Sequence, residues 1–157
     1  MTNLDVHFSS AKEDWGTPQE FFDKLNEEFN FTLDPCSSHS NHKCKKYFTQ
    51  EDDGLSKRWS PHIVFMNPPY GNVLKNWIKK AYIESKKGAT VVCLIPARTD
   101  TQYWHDYCMR AHEIRLVKGR IKFVSDTISN SAPFPSAVVV FKPGKANTPK
   151  LKVMTNK

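Results

Sequence analysis

The sequence has no apolar run approaching the roughly 20 residues that a membrane-crossing helix needs, so a spanning protein is excluded from the expectation. It has no internal repeat and no low-complexity tract, which leaves a single compact unit rather than an array or a tether. Its four cysteines (Cys36, Cys44, Cys93 and Cys108) follow polar opening residues that lack the apolar core of a secretory signal. That combination argues against a disulfide framework and for a reduced, cytoplasmic protein. Acidic residues are the minority: 16 Asp and Glu stand against 23 Lys and Arg, a formal net charge of +7. Such a balance suits a polyanionic partner and equally a solvated lysine-rich surface. At 157 residues, 39% hydrophobic and 25% charged, the chain is the size of one domain and can bury a core without staples.

Residues 1–14 read as a loose arm, 15–143 as the folded domain, and 144–157 as a frayed tail rich in Lys, Asn, Thr and Pro. Thr17 suits a helix N-cap, Pro18 the first helical position, and Glu20 completes a capping box ahead of Phe21, Phe22, Leu25 and Phe29 at helical spacing. A short strand is expected over 29–33, ending at Asp34-Pro35, and another at Tyr47-Phe48-Thr49. The apolar run Ile63 to Met66 fits a strand buried on both faces. Leu74, Trp77, Ile78, Ala81 and Tyr82 form a helical stripe, which Gly88 ends. Thr90 to Ile95 is a second buried strand stopped by Pro96. Asp100 is the expected cap of a further helix, and late strands fall around 114–123 and 137–141. Alternating strands and helices predict an α/β fold, a mostly parallel sheet covered by helices. Ligands of such sheets lie beyond the carboxyl ends of the strands, where Asp34, Asn67 and Arg98 fall.

The tetrapeptide Asn67-Pro68-Pro69-Tyr70 carries the chemistry. The exocyclic nitrogen of adenine is a poor nucleophile because its lone pair is delocalised into the purine. Two acceptors on its N–H groups draw that nitrogen toward a tetrahedral form. The Asn67 side-chain oxygen is one acceptor, and the carbonyl of Pro68, held in a rigid Pro-Pro turn, is the other. Asn67 is no base; it aligns the nitrogen and supports the positive charge developing on it. Tyr70 offers a face on which a flipped base stacks, worth roughly 1–3 kcal/mol, and Gly71 lets the chain turn away. In isolation the tetrapeptide is also a plain turn.

Phe65-Met66-Asn67-Pro68-Pro69-Tyr70-Gly71 resembles the catalytic motif of amino-methyltransferases. The wider chain resembles the Dam-type DNA adenine methyltransferases found largely in phages and prophages. Trp15-Gly16-Thr17-Pro18, Leu33-Asp34-Pro35-Cys36-Ser37, Tyr47-Phe48-Thr49, Asp52-Asp53-Gly54-Leu55, Pro96 to Thr101 with Trp104, Gly119 to Phe123 and Ala132 to Ala137 carry that likeness. It implies a Rossmann-like methyltransferase fold, S-adenosylmethionine as donor and double-stranded DNA as partner. It also implies a cofactor site drawing on Trp15, Thr17, Pro18, Asp34, Pro35, Cys36, Asp53 and Asn67, with Asp34 facing the cofactor's ammonium group. Asp53, with Asp52 as second choice, would meet its ribose or adenine. Asp34 and Asp53 are also ordinary turn formers. The glycine-rich loop common in this fold is missing, replaced by Cys36-Ser37-Ser38.

Other residues stay open. Phe123 and Phe134 suit a target-base wall or the core. Arg98 suits DNA phosphate, the cofactor or a surface ion pair. Lys118, Arg120 and Lys122 suit a DNA-facing strand or a solvated edge. Cys36, His39, His42 and Cys44 have zinc-ligand types, but their spacing is tight and no metal is expected. Rival functions are a protein methyltransferase acting on glutamine and a non-catalytic nucleic-acid-binding module. Recognition loops are sought at 99–110 and 125–131, with GATC as the first target to try because of the family likeness.

Overall fold

The apolar runs pair edge to edge. In the computed structural model, which describes residues 16–124 and 129–157 (backbone alone at 129–130), β1 (Ile63–Met66), β2 (Thr90–Pro96), β3 (Glu113–Lys118), β6 (Ser136–Phe141) and β7 (Lys150–Thr155) form one sheet. β4 (Lys122–Val124) and β5 (Ser129–Ser131) form a separate antiparallel ribbon. The order in the sheet is β1-β2-β6-β3-β7. β1 runs parallel to β2 and β3 to β7, while β6 is antiparallel to both of its neighbours. All strands except β6 therefore point the same way, and the start of β6 lies at the end where β1 and β2 finish.

Alternate residues of the central strands feed two cores, as period-two geometry requires. Val64, Met66, Val91, Cys93, Ile95, Val139 and Phe141 pack with Leu74, Trp77, Ile78 and Ala81 of helix α2 (Leu74–Lys86) and with Trp104 of helix α3 (Gln102–Asp106). Phe65, Val92, Leu94, Val138 and Val140 pack on the other face with Phe21, Phe22 and Leu25 of helix α1 (Gln19–Phe29). The buried strands β1, β2 and β6 and the stripe on α2 follow the sequence expectation.

Several boundaries differ. Helix α1 begins after Pro18 with no side-chain cap, because the Thr17 hydroxyl is bonded elsewhere. It also claims Phe29, and Asn30 turns left-handed at its end (φ 57°) with its N–H on the Asn26 carbonyl. The expected strand over 29–33 shrinks to a parallel bridge of Leu33 to Val64, followed by one of Asp34 to Tyr47. Asp100 does not cap α3; Thr101 stands at that position, and its hydroxyl donates back to the Arg98 carbonyl at 2.8 Å instead of capping the helix. The late strand expected over 114–123 is two elements, because the chain turns at Gly119 (φ 87°).

The expected frayed tail is instead the edge strand β7, in register with β3 from Glu113↔Lys150 to Lys118↔Thr155. Its Lys-Leu-Lys-Val alternation is a period-two pattern, but with Leu151 68% and Val153 71% exposed it lacks the apolar density that marks the inner strands. The arm over 1–14 and Trp15 lie outside the described residues.

Candidate active site

β1 ends at Met66, locked opposite Cys93 of β2, and delivers Asn67 to the carboxyl end of the sheet. The Asn67 carboxamide is held at both ends: its Nδ2 donates to Thr17 Oγ1 at 3.0 Å, and its Oδ1 accepts from the Tyr70 hydroxyl at 2.9 Å. Pro68 and Pro69 are buried, so the turn between Asn67 and Tyr70 is anchored by packing as well as by fixed φ. Tyr70 is half-buried and meets two rings at near right angles, Phe134 at 5.4 Å and Phe123 at 6.2 Å between centroids. Burial pushes the Tyr70 hydroxyl well above its ordinary value, so it stays a donor. The Arg98 guanidinium, leaving the end of β2, lies 5.8 Å from the Phe134 ring centroid.

Thr17 is buried, and its neighbour Gly16 fixes its height. Gly16 exchanges both backbone hydrogen bonds with Val124 of β4, at 3.0 and 2.9 Å. A Cβ on Gly16 would come within 2.8 Å of the Val124 carbonyl, so only glycine fits that approach. The Gly16-Thr17 segment is thereby tied to the β4–β5 ribbon on one side and to Asn67 on the other.

Asp34 sits beside the end of β1, since Leu33 and Val64 pair in parallel. It is 5% exposed, and its Oδ2 accepts the Lys43 N–H at 3.0 Å. Its backbone is pinned to Lys46 and Phe48. Burial raises its carboxyl to about 6, with the Lys43 N–H pulling the other way. The Lys43 ammonium is bonded to Gln19, and among the described residues Asp34 forms no ion pair. Pro35 is buried, and Cys36 is half-buried within electrostatic reach of the Tyr70 hydroxyl.

The Asp52–Leu55 segment docks against the same loop. A Cβ on Gly54 would fall 2.1 Å from the Pro35 carbonyl, and the Gly54 carbonyl accepts the Trp59 indole N–H at 2.9 Å. Asp53, left-handed at φ 56°, stands exposed one residue from that contact. The Asp52 carboxylate is engaged by the Thr49 N–H and hydroxyl at 2.9 and 3.1 Å. The backbone of Asp53 therefore lies one residue from the Gly54 contact with the Asp34-Pro35-Cys36 loop.

The zinc-like residues are engaged with Tyr47 and the backbone. His42 stacks on the Tyr47 ring at 3.8 Å and bonds the Cys44 carbonyl, while His39 bonds the Tyr47 hydroxyl. Among the described residues no three His, Cys, Asp or Glu side chains gather as a metal set. Phe123 and Phe134 are 3% and 8% exposed and pack edge-on behind Tyr70, so they act as its support. Lys118, Arg120 and Lys122 are exposed near the ribbon. Of the expected recognition loops, 125–128 lie outside the described residues. Sequence reasoning missed Ser136: its hydroxyl, at the start of β6 opposite Pro96, is buried with no hydrogen-bond partner among the described residues. A buried hydroxyl at a ligand-facing sheet end was legible only as part of the Pro-Phe-Pro-Ser segment.

The profile of the family "DNA N-6-adenine-methyltransferase (Dam)" matches residues 6–157. A DNA N-6-adenine-methyltransferase of Haemophilus phage HP1 is 33% identical over 143 residues, covering 85% of this chain and 81% of the relative. A DNA N-6-adenine-methyltransferase of Escherichia phage T1 is 28% identical over 107 residues, 67% of this chain and 44% of that protein. With a carboxamide gripped at both ends after one strand and a buried carboxylate beside it, and with the family profile running through nearly every residue, the chain belongs to the Dam family of adenine-specific DNA methyltransferases.

Proposed function

We propose that this chain transfers a methyl group from S-adenosylmethionine to the exocyclic amino nitrogen of an adenine turned out of double-stranded DNA, on a Rossmann-like sheet. The observation that carries this reading is the Asn67 carboxamide, fixed between Thr17 and Tyr70 at the carboxyl end of β1. The residues suit the donor. Asp34 is a buried carboxylate with no ion pair among the described residues, which suits an ammonium group. Pro18, Pro35 and Cys36 line the same approach in this reading, Thr17 stands behind Asn67, and Asp53 takes the ribose or adenine end. When bound, the donor supplies an electrophilic methyl on a sulfonium that departs as a neutral thioether.

The chain's own groups do the rest. The Asn67 oxygen and the Pro68 carbonyl accept the two N–H bonds of the adenine amino group, freeing its lone pair from the ring. The nitrogen–carbon bond forms as the carbon–sulfur bond breaks, and the extra proton on nitrogen then leaves to solvent. Tyr70 carries the turned-out base, and Phe123 and Phe134 keep its ring upright.

The test is Asn67→Ala, assayed on plasmid from a strain without adenine methylation. Turnover should fall by at least about a hundredfold, because a preorganised group at the reacting atom is removed. Calorimetry should show S-adenosylmethionine binding little changed. Near-normal turnover would refute the mechanism.

A further inference from the structure

We propose that Thr17 is a positioning residue: its hydroxyl sets which end of the Asn67 carboxamide faces the target base. This inference rests on the reading of Asn67 as the acceptor for the adenine amino group. A carboxamide turned by 180° presents NH2 where oxygen had been. Donor would then meet donor at the reacting nitrogen, and the developing charge would lose its support. The sense of the amide is therefore part of the catalytic geometry.

Among the described residues, Tyr70 and Thr17 set that sense through their unequal chemistry. A phenol is a good donor and a weak acceptor, because its oxygen lone pair is conjugated into the ring; an aliphatic alcohol oxygen is the better acceptor. Tyr70 accordingly donates to Oδ1 at 2.9 Å, and Thr17 accepts from Nδ2 at 3.0 Å. The roles differ once a base is bound. The adenine N–H supplies Oδ1 with a donor, so the Tyr70 hydroxyl becomes replaceable. Nothing in the base replaces Thr17, which is 4% exposed and held on the far end of the amide by the Gly16–Val124 pairing. Thr17 therefore acts on the reaction through Asn67, with no contact to the donor required.

Thr17→Val keeps the shape and removes the hydroxyl; Thr17→Ser keeps the hydroxyl. Assays would use S-adenosylmethionine and plasmid lacking adenine methylation, with Tyr70→Phe in parallel. Thr17→Val should lower kcat by about 10- to 100-fold, the scale of a misaligned catalytic group, with KM for DNA and S-adenosylmethionine binding nearly unchanged. Thr17→Ser should recover most of that loss, and Tyr70→Phe should cost less than Thr17→Val. A wild-type kcat in Thr17→Val overturns the inference. So does a serine variant as slow as the valine one, or a loss confined to S-adenosylmethionine affinity, which would make Thr17 a cofactor ligand. Any of these beside an inactive Asn67→Ala leaves the adenine reading standing, whereas an active Asn67→Ala removes that reading itself.

Discussion

The carboxyl of Asp34 is buried at 5% exposure, and that burial lifts it to about 6. Keeping it charged at pH 7 costs the fold on the order of 3 kcal/mol relative to the unfolded chain, where a carboxyl titrates near 4. The sign follows from proton counts. Between about pH 4 and pH 6 the folded state binds more protons than the unfolded one, so stability falls as pH rises through that window and is flat above it. Asp34→Asn keeps an oxygen for the Lys43 N–H and deletes the charge. Thermal unfolding should therefore show Asp34→Asn more stable than wild type by several degrees at pH 8, with the gain vanishing near pH 4. Its S-adenosylmethionine affinity should drop, and wild-type affinity should decline as pH goes below about 6. A stabilised variant that binds S-adenosylmethionine normally would return Asp34 to a turn former. At this scale the proposed site positions were legible: Asn67 directly follows the apolar strand β1, and Asp34 follows Leu33, which bridges to that strand. Thr17 was misread as a helix cap because Thr-Pro followed by Glu20 satisfies a local rule, while the bond that claims its hydroxyl reaches 50 residues along the chain. Ser136 was read only as one member of the Ala132 to Ala137 segment, since nothing local distinguishes a buried hydroxyl from a surface one.

At the scale of elements, β1, β2 and α2 were legible because a continuous apolar run and a helical stripe are local signals. What joins them was not. Glu84 lies on α2 among lysines and reads as part of a solvated face, yet it is fully buried. Its Oε1 accepts the backbone N–H groups of Trp59 and Ser60 at 2.6 and 3.3 Å, just before β1, and its Oε2 pairs with Lys80 and Lys87. Burial pushes this carboxyl up, but those N–H groups and the two lysines outweigh it and hold it below the usual carboxylate range. Its contribution is thus present at neutral pH and lost as pH falls through that lowered value. Glu84→Ala leaves two buried N–H groups unpaired and should cost about 2–5 kcal/mol, lowering Tm by roughly 5–15 °C. Glu84→Gln, which keeps the Oε1 acceptor, should lose clearly less. Equal melting of wild type and Glu84→Ala would mean that this joint carries no stability.

For the whole molecule, the sequence conveyed the α/β alternation but not where the sheet stops, because an edge strand buries one face and shows few apolar residues. β7 closes that edge, and its reach extends toward the site. Asn156 donates its backbone N–H to Lys118 and its side chain to the Arg120 carbonyl, gripping the Gly119 turn between β3 and β4. β4 in turn pairs with Gly16 through Val124, next to Thr17. Lys152 pairs with Glu113, which also binds Arg115, and Met154 packs under the α1 face. Removing residues 145–157 would strip β3 of a six-pair register. At roughly 0.5–1.5 kcal/mol net per backbone hydrogen bond, the loss is about 3–6 kcal/mol, or a Tm lower by roughly 10–20 °C. The newly bared edge of β3 should also make the shortened chain prone to association. Below its own Tm, that variant should still bind S-adenosylmethionine, since the loop proposed to hold it is untouched, but turn over more slowly. The Gly119 turn that seats β4, and with it Gly16 and Thr17, would have lost its clamp. A shortened chain that melts and turns over like the full one would show that the strand is ornamental and that β4 is seated from within the sheet's own core.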